Sequence, residues 1–131
     1  MILGLLMSSN SYAEKTPDMT NSVWELKHDE KWRDVSFKAN GQCSYRYRDL
    51  IMRTSDDCKW SQDGNKVTMQ GTEYSCWITT FNVSGYNASG AIKITCARYE
   101  NKKNTYSLAG KATHVDNWLT GLSNKSSLPS T

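Results

Sequence analysis

The sequence predicts an all-β fold, a single antiparallel meander of about eight strands closed as a small barrel. Three observations support this prediction. Short segments of β-forming residues alternate in polarity, turn residues separate these segments at intervals of roughly 8–12 residues, and apolar residues at helical spacing are almost absent. A chain of 131 residues corresponds to one domain with a single modest core.

The predicted strands follow one another along the chain through short connections. Asn40-Gly41 is a strong hairpin signal, and Asp63-Gly64-Asn65 is a second turn. Residues 83–90 are expected to form the turn of a central hairpin, and residues 115–122 one turn or a short helix. A consecutive order of strands favours an up-and-down barrel, which has no exposed edges, with a Greek-key sandwich as the alternative. The strands are expected at residues 23–27, 35–37, 42–48, 57–60, 66–69, 74–83, 91–99 and 105–110.

The four cysteines indicate two disulfides, for which three connectivities exist. The pairing Cys43–Cys58 and Cys76–Cys96 is favoured because each pair is symmetric about a predicted turn. Cys76 and Cys96 are expected to face each other directly across the central hairpin, which places their β-carbons within disulfide reach. The spacing offers no Cys-x-x-Cys pair, so it does not indicate a zinc site.

The two ends of the chain differ in composition from the middle. Residues 1–13 have the pattern of a signal peptide remnant, with an apolar stretch followed by Ser11-Tyr12-Ala13, which supplies small residues where a signal peptidase reads. We therefore expect a periplasmic or secreted protein. The apolar stretch is too short to cross a bilayer, so stable membrane insertion is not expected. The remaining ranges are a flexible lead-in (14–21), the β-barrel domain (22–122) and a disordered tail (123–131).

Motifs between residues 23 and 69 carry a family resemblance. A first strand bears Trp24, a Phe-x-x-x-Gly hairpin begins at Phe37, and a Trp-x-x-x-Gly-x-x-Val hairpin begins at Trp60. Together they resemble the small bacterial lipocalin-like domains of the calycin type. The resemblance implies a β-barrel able to hold a small ligand, and it implies that Trp24 packs at the closed end of that barrel as a structural residue.

Aromatic residues are numerous, with five tryptophans and seven tyrosines. Such rings either stack on a ligand or supply a core that has few leucines. On the first interpretation they line a binding pocket, and the chain is an exported, non-catalytic, lipocalin-like binding module for a small apolar or aromatic ligand. On the second interpretation the same rings are core residues. The candidate ligand-binding residues are Tyr45, Tyr47, Trp60 and Trp77, with Trp32 beside them.

The predicted turn at residues 83–90 supports an alternative function. Ser84, Tyr86 and Asn87 would place one aromatic ring at the tip of a disulfide-stapled hairpin, where preorganisation favours insertion into a partner's cleft. Ser84-Gly85-Tyr86 is similar to a fragment of the Ser-Gly-x-x-Tyr motif of exported β-barrels that inhibit lysozyme. The alternative function is therefore a protein-binding inhibitor, and the plainest interpretation of the same residues is an ordinary hairpin turn.

Catalytic and cofactor signals are not found in the sequence. It contains no nucleophile elbow, P-loop, metalloprotease motif or dinucleotide fingerprint. His28 and His114 have no second ligand at metal spacing, and a net charge of +3 does not indicate a nucleic-acid partner. We therefore expect a non-enzyme without metal or cofactor, whose partner is a small molecule or a protein; the oligomeric state stays open.

Overall fold

A computed structural model describes residues 15–28, 31–47, 55–96 and 103–119, with the backbone alone for residues 31, 32 and 47. Strands β2 to β9 form a closed antiparallel barrel in chain order, and β9 pairs with β2 to close it. This finding confirms the predicted meander barrel and excludes the Greek-key sandwich. The predicted signal peptide (1–13) and tail (123–131) lie outside the described residues. The strands are β1 Pro17–Asp18, β2 Val23–His28, β3 Lys31–Phe37, β4 Gln42–Tyr47, β5 Ser55–Asp63, β6 Lys66–Gly71, β7 Trp77–Ser84, β8 Asn87–Ile94, β9 Thr105–His114 and β10 Asn117–Trp118.

Alternation along each strand divides the residues between the barrel interior and the solvent. In β7 every second side chain, from Trp77 to Val83, is buried, and the residues between them are exposed. The same period of two places Trp24 and Phe37 inside, among the largest fully buried side chains. The interior is therefore a single core built from one face of all eight strands.

One end of the barrel, called here the strap end, is covered by the two segments that precede and follow the barrel strands in the chain. The sequence predicts a flexible lead-in over residues 14–21, but from Lys15 onward this segment runs against the barrel. β1 pairs with β10, and Met19 is fully buried. The single turn or short helix expected at residues 115–122 is not found in the described part of that segment. Strand β10 forms there instead, and its pairing with β1 satisfies its backbone.

Trp24 lies inside the strap end. Its indole Nε1 donates a hydrogen bond to Ser22 Oγ at 2.9 Å, and Ser22 Oγ donates to the Met19 carbonyl at 2.6 Å. Trp24 is 0% exposed. This is the structural position that the lipocalin-like resemblance implies for the tryptophan of the first strand.

Both predicted disulfides are present, but their geometries differ. Cys43 and Cys58 are directly opposite each other on β4 and β5, as expected. Cys76 and Cys96 are also joined, yet they are not opposite residues, because Trp77 pairs with Ile94 and Cys76 therefore faces Thr95. The expectation of a direct facing pair is wrong by one residue because the hairpin is centred between Gly85 and Tyr86, whereas a facing pair requires a centre at Tyr86.

That central turn contains two residues rather than the eight expected. Ser84 pairs with Asn87, which leaves Gly85 and Tyr86 as the turn, while the rest of the predicted loop belongs to β8. Gly85 has φ of +58°, and glycine is the residue preferred at the first central position of type II′ hairpin turns. A tight turn that matches the strand twist is sufficient here, so the small polar residues after it continue the sheet.

Candidate functional site

Two of the four predicted ligand-binding residues meet inside the barrel, near the end opposite the strap. The rings of Tyr45 and Trp77 are 5.3 Å apart between centroids and meet edge to face. The Trp77 indole donates a hydrogen bond to Tyr45 Oη at 3.1 Å, and that hydroxyl donates to Ser75 Oγ at 3.0 Å. Both residues are 3% exposed, so their polar atoms are used within the protein.

A residue that the sequence did not single out completes this cluster. The guanidinium carbon of Arg33 lies 4.8 Å from the ring centroid of Tyr45 and 4.7 Å from that of Trp77. Arg33 is 4% exposed, and a desolvated guanidinium over two aromatic faces is a strong cation–π arrangement. The alternation of Arg33 with Val35 and Phe37 along β3 was the signal that placed it inside. Its side chain packs against both rings, where a ligand was expected.

Of the other two predicted ligand-binding residues, Trp60 does not join this cluster. Trp60 lies towards the strap end, where its ring meets Phe37 edge-on at 5.6 Å. Its indole donates hydrogen bonds to the carbonyls of Lys38 (2.9 Å) and Gln42 (2.7 Å), so it braces the β3–β4 hairpin. The backbone of Tyr47 pairs with Arg33 in β3. The side chains of Tyr47 and Trp32 lie outside the described residues.

The predicted partner-binding residues surround the β7–β8 turn. Gly85 N donates a hydrogen bond to the Lys15 carbonyl at 2.7 Å, and Ala112 N donates to the Tyr86 carbonyl at 2.9 Å. These two bonds tie the turn to the lead-in segment and to β9. The Tyr86 side chain remains 55% exposed, which places a large ring in solvent on a fixed backbone.

Two residues of the segments that cover the strap end, Lys15 and Trp118, lie beside the exposed Tyr86 ring. The Tyr86 ring meets Trp118 edge to face with 5.2 Å between centroids, and Lys15 Nζ lies 5.8 Å from the Trp118 centroid. We call Lys15, Tyr86, Asn87 and Trp118 the Tyr86 patch. The sequence prediction named Tyr86 and Asn87, with Ser84 paired to Asn87 across the turn. It did not name Lys15 and Trp118, because their proximity to Tyr86 depends on how the barrel is closed.

Tyr74 is a second exposed aromatic residue that the sequence prediction missed. It is 88% exposed and lies in the connection between β6 and β7, at the end of the barrel opposite the strap. Thr72 shapes this connection, since its carbonyl accepts a hydrogen bond from Cys76 N at 2.9 Å and its hydroxyl accepts one from Ser75 N at 3.2 Å. Tyr74 thus resembles Tyr86 in residue type and in lying on a hydrogen-bonded turn, but it lies elsewhere on the molecule.

The histidines do not form a metal centre with other described residues. His28 is buried with its ring 6.3 Å from that of Tyr106, whereas His114 is exposed with Nε2 3.7 Å from a carboxylate oxygen of Asp116. Over residues 15–28, 31–47, 55–96 and 103–119, no group of three or more His, Cys, Asp or Glu side chains could hold a metal ion.

Comparison of the chain with protein-family models, curated proteins and solved structures finds no match. The eight-strand barrel is compatible with a lipocalin-like domain, but this architecture hosts unrelated functions and does not by itself identify a family. Two disulfides are typical of proteins that fold in an oxidising environment. In the part of the chain that the structure describes, no helix has the length and hydropathy needed to span a bilayer.

Proposed function

We propose that this chain is an exported, non-catalytic protein-binding module that engages its partner through the Tyr86 patch. The observation that carries the proposal is the half-exposed Tyr86 ring on a two-residue turn. Hydrogen bonds to Lys15 and Ala112 fix that turn. A ring that is already positioned loses little conformational entropy when it enters a cleft of a partner.

The chemistry of the patch is that of an interaction hot spot. Tyrosine and tryptophan are enriched among the residues that contribute most to protein–protein affinity, because each buries a large apolar area and retains a polar group. Tyr86 supplies the exposed ring, Trp118 supports its edge, and the Lys15 ammonium lies beside them. Where the partner's cleft is an enzyme active site, occupation by Tyr86 would inhibit the enzyme.

The packing of the interior gives less support to a carrier of small apolar or aromatic ligands. Tyr45 and Trp77 are occupied by each other and by Arg33, which lies against both rings. A ligand stacked on either ring would have to displace a buried cation from its aromatic neighbours, and that displacement opposes binding. The carrier hypothesis therefore ranks second.

The proposed location is the periplasm or the exterior of the cell. Support comes from the two disulfides, which persist in oxidising compartments, and from the signal-like sequence of residues 1–13. N-terminal sequencing of the protein secreted by its own host tests this proposal. A mature N-terminus close to Glu14 is expected, and full-length protein retained with four free thiols would contradict it.

The proposed function can be tested with two matched tyrosine positions. A photo-crosslinking phenylalanine derivative at position 86 is expected to capture a partner from the host's extracytoplasmic fraction, and the same derivative at position 74 is not. The captured protein is then purified for calorimetry with the wild-type chain, Tyr86→Ala and Tyr74→Ala. Loss of a hot-spot ring costs about 2 kcal/mol or more, which corresponds to about 30-fold weaker binding.

The control separates a specific site from general stickiness. Tyr74 is more exposed than Tyr86, at 88% against 55%, so a non-specific aromatic contact would favour position 74. Tyr74→Ala is expected to bind within about twofold of wild type, as energetically neutral surface positions do. Equal losses of binding affinity for both variants, or no loss for Tyr86→Ala, would refute the proposal.

A further inference from the structure

The barrel wall is divided into two parts of different charge. Strands β6, β7, β8 and β9 contain no aspartate or glutamate and carry three exposed lysines, Lys66, Lys93 and Lys111. The acidic residues of the barrel strands lie instead in β2, β3 and β5. The β7–β8 turn that carries Tyr86 therefore belongs to the basic part, where the field of the protein attracts negative groups.

Two lysines from different chain segments lie near the exposed Tyr86 ring. Lys15 Nζ is 5.8 Å from the ring centroid of Trp118, which meets Tyr86 edge to face. Lys111 is exposed on β9, directly opposite Asn87, the residue that follows Tyr86. Since neighbouring strands are about 4.8 Å apart, the Lys111 ammonium is within reach of a group that binds beside the Tyr86 ring.

Three nitrogen atoms beside Tyr86 are donors that a partner can use. Among the described residues, the ammonium groups of Lys15 and Lys111 form no ion pair or hydrogen bond, and the Trp118 indole N–H donates no hydrogen bond. Ammonium and indole groups donate hydrogen bonds and accept none. A partner that pairs with them must supply acceptors, and ionised carboxylates make the stronger, charge-assisted hydrogen bonds.

The carboxylates closest to this surface in sequence or register are engaged or directed elsewhere. Asp116 Oδ1 is 3.7 Å from His114 Nε2, and the Asp18 carboxylate accepts a hydrogen bond from a backbone amide. Glu25 is aligned with Lys111, but it lies on β2, one strand further from the β7–β8 turn. The carboxylate that is nearest in register therefore lies on the side of Lys111 away from the turn.

We propose that the Tyr86 patch, together with Lys111, recognises an acidic protein surface, a specificity that rests on the proposed function of the patch. Carboxylates of the partner surround the pocket that receives the Tyr86 ring. Lys15, Lys111 and Trp118 donate to these carboxylates, while the tyrosine ring contributes buried apolar area. Charge complementarity of this kind raises the association rate and disfavours basic partners.

Amide NMR titration of the full oxidised chain with blocked peptides tests this specificity without the natural partner. The probes are N-acetylated, C-amidated tetramers of aspartate and of asparagine, each added to about 10 mM at about 20 mM salt, where the Debye length is about 20 Å. The aspartate tetramer is expected to give saturable shifts at the Tyr86, Asn87 and Lys111 amides and at the Trp118 indole N–H. The asparagine tetramer has a similar size without the charge and is expected to bind at least fivefold more weakly.

Lysine variants locate the interaction. Lys15→Gln and Lys111→Gln each remove one charge at similar volume, and each is expected to weaken binding of the aspartate tetramer at least threefold at low salt. Lys93→Gln is the matched control, because it removes an exposed lysine from the far end of β8, about 20 Å along the strand from Asn87. It is expected to bind the aspartate tetramer within about twofold of wild type, since screening weakens its field at the turn.

Several results would overturn the acidic specificity. They are the absence of saturable shifts with the aspartate tetramer, shifts that map away from the Tyr86 patch, and equal binding of the asparagine tetramer. Tighter binding of a thymidine tetranucleotide would overturn it as well and would assign the surface to nucleic acid. A partner captured at position 86 without peptide shifts would overturn the acidic specificity alone, whereas peptide shifts without any captured protein would refute the proposed function alone.

Discussion

The guanidinium carbon of Arg33 lies 4.7 Å from the ring centroid of Trp77, inside the barrel. A cation in a protein interior is expensive unless its surroundings compensate for lost hydration. Here the aromatic faces of Trp77 and Tyr45 supply part of that compensation. Arg33 therefore acts as a core residue that packs against two rings, and the barrel loses packing as well as charge interactions without it.

Arg33→Ala is expected to lower the free energy of unfolding by about 2–4 kcal/mol, because the substitution removes desolvated cation–π contacts and leaves a cavity. Urea denaturation followed by tryptophan fluorescence measures this loss. Arg46→Ala is the matched control, since Arg46 pairs with Asp34 at the surface with a 59% exposed side chain, and we expect a change within about 0.5 kcal/mol. Equal losses for the two variants would contradict a core role for Arg33.

The two disulfides are expected to differ in reducibility because they differ in burial. Cys43 and Cys58 are 2% and 3% exposed, whereas Cys76 and Cys96 are partly accessible beyond the ends of their strands. Reduction requires a thiolate to reach a sulfur atom. Dithiothreitol on the native protein should therefore cleave Cys76–Cys96 first, as measured by alkylation and peptide mass spectrometry. In denaturant both bridges should be reduced together, and simultaneous reduction of the native protein would contradict the prediction.

Most of the barrel was predictable because the relevant signals are local. Strand alternation and turn residues define hairpins between neighbouring segments, and hairpins in chain order lead to a meander. The pairing of Cys43 with Cys58 follows from the same symmetry. The error at Cys76 and Cys96 arose because Asn87 to Gly90 have the composition of a turn, while the glycine at position 85 already provides the reversal.

The candidate site was less predictable because it depends on contacts between distant segments. The sequence identified Tyr86 as a single exposed ring, but its contact with Trp118 requires that β10 return to the strap end. Arg33 was overlooked because the predicted strand covers only residues 35–37. The observed strand β3 begins at Lys31, and its alternation places Arg33 inside the barrel with Val35.

Gly90 allows β8 to approach β7 closely. A Cβ atom at this position would overlap the Thr80 carbonyl oxygen and the Cα of Phe81. Gly90→Ala is therefore expected to lower the free energy of unfolding by about 1–3 kcal/mol through overpacking. Thermal or urea unfolding measures the loss, with Ser89→Ala as the control on the exposed face of the same strand. A Gly90→Ala variant as stable as Ser89→Ala would show that the strands separate without cost.

Gln62 links the barrel to the lead-in segment through both the oxygen and the nitrogen of its side-chain amide. Its Oε1 accepts a hydrogen bond from Met19 N at 3.0 Å, and its Nε2 donates to the Pro17 carbonyl at 2.8 Å. Gln62→Leu keeps a similar volume but removes these bonds, each worth about 0.5–1.5 kcal/mol net. The lead-in segment should then detach more often, and because its Lys15 carbonyl accepts from Gly85 N, the Tyr86 turn should loosen with it.

Amide hydrogen exchange separates this coupling from a general loss of stability. In Gln62→Leu the amides of Met19 and Gly85 are expected to exchange about tenfold faster or more, whereas the Val67 amide in the buried part of β6 should exchange at its wild-type rate under conditions of local opening. Gln70→Leu, on the exposed face of β6, is the control and should change none of the three. Faster exchange of the Met19 amide without faster exchange of the Gly85 amide would contradict the coupling. In that case the lead-in segment covers the barrel end without supporting Tyr86, and the β7–β8 turn alone orders the Tyr86 patch.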